Sequence, residues 1–181
     1  EQFRGKSSVT IFVVILPKKR ATIHLDMIFT QLSESEAMVY KPYFIGSDSL
    51  ECVKMKLDQK DKIEITCVES LFPALKNEGI DLKPIFCGNA DPVQQQREQW
   101  LSGNNFFAIA PGKVIGYACN NYTMEALSNA GYEIKTDKEF LKSDIPSESY
   151  KKLAIGISGV ELARGGGGAR CMTLPLEREA L

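Results

Sequence analysis

Apolar and polar positions alternate in blocks that mark out short strands and helices along the chain. Residues 9–16, VTIFVVIL, are almost continuously apolar and rich in β-branched side chains, which predicts a buried strand covered on both faces and ended by Pro17. Residues 21–30 alternate less cleanly, with Ile23, Leu25 and Met27 on one parity and His24, Asp26 and Ile28 on the other. In an extended chain this puts His24 and Asp26 on the same face. Residues 38–40 read as a short strand and 63–67 as another of alternating polarity. Residues 68–79 read as a helix with Gly79 as its stop, Pro73 requiring that it begin just there or before, and 82–86 as a strand. Downstream, strand 106–110, the Pro111-Gly112 turn, strand 114–117, helix 123–129 with Gly131 as its stop, and strand 132–134 form a ββαβ unit. Residues 63–86 read as a looser β-α-β copy, an internal structural repeat without residue similarity. Short strands alternating with helices of about ten residues place the chain in the mixed α/β class.

Composition narrows the classes of partner. The 181 residues carry 22 Lys+Arg against 23 Asp+Glu, a formal charge of −1, and no basic cluster is interleaved with aromatics, which argues against nucleic acid as a partner. The longest apolar run is far short of the ~20 residues of a spanning helix, and Pro17-Lys18-Lys19-Arg20 offers no signal-peptide cleavage site. No membrane partner and a cytoplasmic location are therefore expected. The chain opens on Glu1 rather than Met, so residue 1 is read as an interior position of a longer gene product.

Five cysteines, Cys52, Cys67, Cys87, Cys119 and Cys171, are odd in number and lack C-x-x-C spacing, which disfavours a disulfide framework or a zinc site. Four are read as space-fillers. Gly165-Gly166-Gly167-Gly168 cannot be regular structure and is either a linker or a loop that approaches something closely. It has neither the Lys-Ser/Thr of a phosphate loop nor a dinucleotide context, so no metal and no cofactor are expected.

The only histidine, His24, is the residue available for acid-base work near neutral pH, although a lone histidine on a strand is ordinarily a half-buried, hydrogen-bonded side chain. Asp26 beside it weakens that ordinary reading, because two polar groups on one face of an apolar segment need water or a polar site. Cys171 follows the glycine run and Arg170, a setting of backbone N–H groups and positive charge that suits a reactive thiolate, although local sequence alone favours a glycine tail with Cys171 as a space-filler. Arg97-Glu98-Gln99-Trp100 is placed on a short helix with Trp100 as a packing anchor, and Asn104 and Asn105 read as loop residues.

Taken together, three segments carry a resemblance. Thr22-Ile23-His24-Leu25-Asp26-Met27-Ile28-Phe29-Thr30 resembles the M-H-L-D-T-x-F-T motif of arginine deiminases. Arg97-Glu98-Gln99-Trp100, Gly103-Asn104-Asn105, Ala108-Ile109-Ala110-Pro111-Gly112, Tyr117, Asn120 and Thr123 are similar to their R-E-Q-W…G-x-N…A-I-A-P-G…Y-x-R-N-x-x-T segment. Glu161-Leu162-Ala163-Arg164-Gly165, followed by Gly168-Ala169-Arg170-Cys171-Met172-Thr173-Leu174-Pro175-Leu176, resembles their E-L-x-R-G-x-G-x-x-R-C-M-S-M-P-L ending.

The resemblance implies a guanidine-modifying enzyme of the pentein type, an α/β-propeller of five ββαβ units around a central site. Residues 1–181 would then be the C-terminal part of a single catalytic domain, a partial propeller of about two units plus the nucleophile loop. It implies Cys171 as nucleophile, His24 as acid-base and Asp26 as the carboxylate that binds the guanidinium, acting on L-arginine to give citrulline and ammonia. The remainder of the parent chain would be the partner that supplies the other carboxylates and arginines, so the isolated chain is expected to be inactive. Homo-oligomerisation stays open. Alternatives are an amidinotransferase, an agmatine or peptidyl-arginine deiminase, or a non-catalytic module of the same fold. The R-E-Q-W and A-I-A-P-G segments favour the free-arginine enzyme. Two positions depart from the family pattern: Gly166, where some deiminases carry a second arginine able to meet the substrate carboxylate, and Cys119, where many carry arginine.

Overall fold

The computed structural model describes residues 8–47, 49–58 and 62–176. In chain order its elements are β1 (Val9–Val14), β2 (Phe29–Gln31), β3 (Glu36–Val39), β4 (Cys52–Leu57), β5 (Ile63–Val68), α1 (Leu71–Asn77), β6 (Lys83–Phe86), α2 (Pro92–Trp100), β7 (Phe107–Ala110), β8 (Lys113–Tyr117), α3 (Asn121–Asn129), β9 (Glu133–Thr136), α4 (Asp137–Lys142), β10 (Leu153–Ile157) and α5 (Val160–Arg164). The architecture is mixed α/β with three sheets, none of them closed into a barrel. The chain divides into two compact units, one from Glu1–Pro17 and Pro42–Leu82, the other from Lys18–Lys41 and Lys83–Leu181.

The first unit holds an antiparallel sheet of order β1-β4-β5, with Val9 opposite Leu57 and Val14 opposite Cys52. The run at residues 9–16 is a strand, as expected, but it is not covered on both faces. β1 lies at the sheet edge and is half-buried, with Ile11 44% and Ile15 48% exposed. An unbroken apolar run fits a central parallel strand and an antiparallel edge equally, and pairing decides between them. Thr10 on β1 donates to Glu78, just past α1, and Lys54 on β4 pairs with the same carboxylate, so one side chain ties the helix end to two strands.

The expected β-α-β repeat over 63–86 does not form. β5 pairs with β4 in the first unit, whereas β6 pairs with β3 in the second. Partner choice is a tertiary property that local patterning does not encode.

The second unit carries the sheets β2-β3-β6 and β7-β8-β10-β9. Each begins with an antiparallel hairpin whose second strand then takes a parallel neighbour: β6 against β3, and β10 against β8. The strands of the expected ββαβ unit are present, but β9 does not pair with β8, because β10 inserts between them, parallel to both. Its sequence LAIGI is buried along its length, as a strand with neighbours on both sides requires.

Leu32, Met38, Ile85, Phe106, Val114 and Leu127 fill the core of this unit. A buried polar tie spans it. Glu36 on β3 accepts from Lys152 at 2.7 Å and from the Tyr132 hydroxyl at 3.1 Å, and burial followed by this carboxylate pushes the Tyr132 phenol up.

Candidate active site

The site is built from two irregular segments and one helix of the second unit. Residues 20–27 form two short 3₁₀ turns, Arg20–Thr22 and Leu25–Met27, rather than the expected extended segment. His24 is the extended residue between them, with φ −140° and ψ 154°, and its carbonyl accepts from the Met27 N–H at 3.1 Å. The imperfect alternation of residues 21–30 reflects this: Met27 and Ile28, adjacent in sequence, are both buried, which a half-buried strand does not allow. Strand parity therefore does not explain how His24 and Asp26 meet. They meet in an open cleft of about 400 Å³ lined by both together with Phe29, Thr30 and Arg170.

Helix α2 holds these turns in place. Asp91 caps it by accepting from the Val93 N–H, with Pro92 in the first turn where its missing N–H costs nothing. Gln99, 5% exposed, then donates to the carbonyls of Ala21 at 2.6 Å and Met27 at 3.2 Å. Its neighbour Glu98, also buried, accepts from the backbone of Tyr122 and Thr123 and from the Thr123 hydroxyl. It thus supplies the anionic cap for the N-terminus of α3. Trp100, expected as a packing anchor, is 55% exposed and lines a small hollow with Arg20, Met27 and Arg164.

The glycine run is a structured loop. After α5, Gly166 and Gly167 take φ of +88° and +89°, which reverses the chain at no steric cost to residues without a Cβ. A Cβ on Gly167 would stand 3.1 Å from Cys171 Sγ, and one on Gly168 would stand 2.7 Å from the Asn105 side chain. Cys171 is exposed at the end of this loop. The partner of its sulfur is Asn105, whose Nδ2 donates to Sγ at 3.3 Å and to the Asp26 carbonyl at 3.4 Å. Asn105 Oδ1 accepts from the N–H groups of Arg170 at 2.9 Å and Cys171 at 3.4 Å.

The Asp26 carboxylate is only partly satisfied. Its Oδ1 is buried and has no hydrogen-bond partner among the described residues, and its Oδ2 lies 3.9 Å from Arg170 Nε. That distance is an ion pair without a hydrogen bond. Among the described residues, no three His, Cys, Asp or Glu side chains converge in a way that could hold a metal ion. Tyr117 completes the surroundings of the loop, its hydroxyl 3.6 Å from Met172 Sδ. Its phenol is pushed up by burial first and by the nearby Cys171 and Cys119 second.

Of the other cysteines, Cys52 and Cys87 are buried, as expected of space-fillers, and Cys119 is partly buried. Cys67 is exposed on β5 and fills nothing. Asn105, read from sequence as a loop residue, is fully buried at the centre of the site. The signal that marks it is its place in the Gly103-Asn104-Asn105 stretch that follows R-E-Q-W.

No helix among the described residues is long and apolar enough to cross a membrane. The sequence model of the arginine deiminase family matches residues 1–178. An arginine deiminase of Oenococcus oeni is 32% identical over 98% of this chain and 38% of its own length. One of Lactococcus lactis subsp. lactis is 34% identical over 95% of the chain and 38% of its own length. One of Mycoplasma capricolum is 34% identical over 94% of the chain and 37% of its own length. The chain thus spans somewhat more than a third of the curated relatives that it matches. With the family's sequence model covering all but the last three residues, the chain belongs to the arginine deiminase family.

Proposed function

We propose that this chain is the C-terminal part of an enzyme that hydrolyses free L-arginine to L-citrulline and ammonia, within a pentein-type α/β-propeller. Cys171 is its nucleophile, His24 its acid-base and Asp26 a guanidinium-binding carboxylate. The observation that carries the reading is Asp26, a carboxylate with one buried, unpartnered oxygen in the same cleft as the only histidine of the chain, beside the loop that ends in Cys171. A buried oxygen without a partner is costly unless a ligand completes it, and a planar cation with forked donors is a fitting ligand. The hairpin-plus-parallel-strand pattern common to both sheets of the second unit supports the propeller reading.

The reaction follows from these groups. Cys171 Sγ attacks the guanidinium carbon and forms a C–S bond, giving a tetrahedral adduct. Protonated His24 delivers its proton to the departing nitrogen, so the C–N bond breaks and ammonia leaves with an S-alkylamidino cysteine behind. The now neutral imidazole takes a proton from water as its oxygen attacks the same carbon. Collapse breaks the C–S bond, returns the thiolate and releases citrulline. Asp26 holds the planar cation as it binds and again in the amidino intermediate.

The test is citrulline formation from L-arginine by the full-length enzyme that includes this chain, with agmatine as a parallel substrate. Turnover within the ordinary range of about 1–1000 s⁻¹, abolished by Cys171→Ser and with a cysteine adduct trapped at Cys171, is the expected result. Turnover that survives Cys171→Ser, or a preference for agmatine, overturns the assignment. The 181-residue chain alone is expected to turn over little arginine, since one carboxylate orients the substrate poorly.

A further inference from the structure

We propose that Asn105 is the positioning residue of the nucleophile: a single buried carboxamide that sets both the path of the Cys171 loop and the direction of its sulfur. This rests on the reading of Cys171 as nucleophile, and it adds a residue that the chemistry of thiol attack does not itself demand.

The geometry uses both ends of the amide. Oδ1 takes two consecutive N–H groups, from Arg170 and Cys171, which fixes the backbone immediately before the sulfur. Nδ2 divides its donors between Cys171 Sγ and the Asp26 carbonyl. One side chain therefore ties the nucleophile to the segment that carries the guanidinium-binding carboxylate. The surroundings hold it in place. Asn105 is fully buried, its own N–H donates to the Ser102 carbonyl at 3.0 Å, and Gly168 packs so closely that a single methyl group there would stand 2.7 Å from the amide. A buried side chain in such a slot has one orientation available, and a fixed donor to sulfur is preorganised rather than recruited.

A residue that merely stabilised the loop would need only Oδ1, and this separates the two roles. Asn105→Asp keeps an acceptor for both loop N–H groups but loses the donor to sulfur, whereas Asn105→Ala loses both. The experiment measures alkylation of Cys171 by iodoacetamide near neutral pH in the full chain, with exposed Cys67 as an internal reference, and thermal unfolding alongside. Both variants should lower the Cys171-to-Cys67 rate ratio by about tenfold or more, the usual scale for losing a hydrogen bond to a charged group. Asn105→Asp also buries a carboxylate oxygen against the Asp26 carbonyl and should unfold earlier than the parent, so the ratio is read at a temperature where both variants are folded.

In the citrulline assay, kcat should fall in Asn105→Asp with KM little changed. A parent-like ratio in Asn105→Asp overturns the proposal and leaves Asn105 as a structural loop anchor. If the full-length enzyme makes no citrulline while the ratio still drops in both variants, the deiminase reading fails and the positioning role stands.

Discussion

Glu98 Oε2 accepts both the backbone N–H and the hydroxyl of Thr123, at 2.7 and 2.6 Å, in a pocket where Glu98 is 3% and Thr123 0% exposed. The pair joins the end of α2 to the start of α3. Glu98→Ala should cost about 3 kcal/mol, since it leaves the buried N–H and hydroxyl of Thr123 and the part-buried N–H of Tyr122 without an acceptor. Urea unfolding of the variant checks this, and a loss under about 0.5 kcal/mol would show that water replaces the carboxylate.

Gly168→Ala should spare the fold and damage the site. The added methyl meets Asn105 and pushes the Cys171 loop off its anchor. A displacement of about 1 Å can cost on the order of 100-fold in turnover, against about 1–3 kcal/mol of overpacking. Citrulline assays and thermal unfolding on the same preparation separate the two effects. Parent-like turnover would mean that the loop finds its position without that contact.

A haloacetamidine should label Cys171 ahead of every other cysteine. Burial pushes the Cys87 thiol up to about 12, against an opposing hydrogen bond from Thr123, and burial also raises Cys52 and Cys119. Cys52 and Cys87 should react only on unfolding, and the partly buried Cys119 slowly in the folded state. Exposed Cys67 should take neutral iodoacetamide, but it lacks Asp26 to attract an amidinium. Peptide mapping with both reagents tests this, and Asp26→Asn should erase the preference for the cationic one.

Glu78 gives the first unit a defined response to acid. Lys54 foremost, and Thr10 after it, hold its carboxyl below the ordinary value of 4.5. A carboxyl depressed in the folded state stabilises above its unfolded value, and that contribution disappears as the pH falls through the folded one. Glu78→Gln should therefore unfold at lower urea than the parent at neutral pH, with the gap closing in acid. A gap that persists undiminished at the lowest pH would assign the effect to packing.

Much of the fold is legible in the sequence because strands and helix stops are local. Gly79 and Gly131 end α1 and α3 where their patterns stop. What a strand pairs with is not local. Residues 63–86 looked like one unit, yet β5 and β6 join different sheets, and β10 intrudes between two strands that the pattern had made neighbours. The site shows the same division. His24 and Asp26 draw notice as two polar side chains in an apolar segment, whereas Cys171, which local sequence alone reads as a space-filler, is singled out by the family resemblance. The strand assigned to residues 21–30 failed because the carbonyls of Ala21 and Met27 are held by Gln99, far along the chain. Asn105 reads as a loop residue because a carboxamide in a Gly-Asn-Asn stretch is commonplace, and only burial against Gly168 shows that it is fixed.

The central position of β10 sets an order of assembly on the ribosome. β8 and β9 emerge first but share no hydrogen bonds, and the strand that joins them is the last of the described strands to leave the exit tunnel. Until then both carry open edges, sites where a nascent chain invites mispairing or calls on a chaperone. The loop that bears Cys171 comes after β10 in the chain, so the segment that Asn105 holds is synthesised after every described strand.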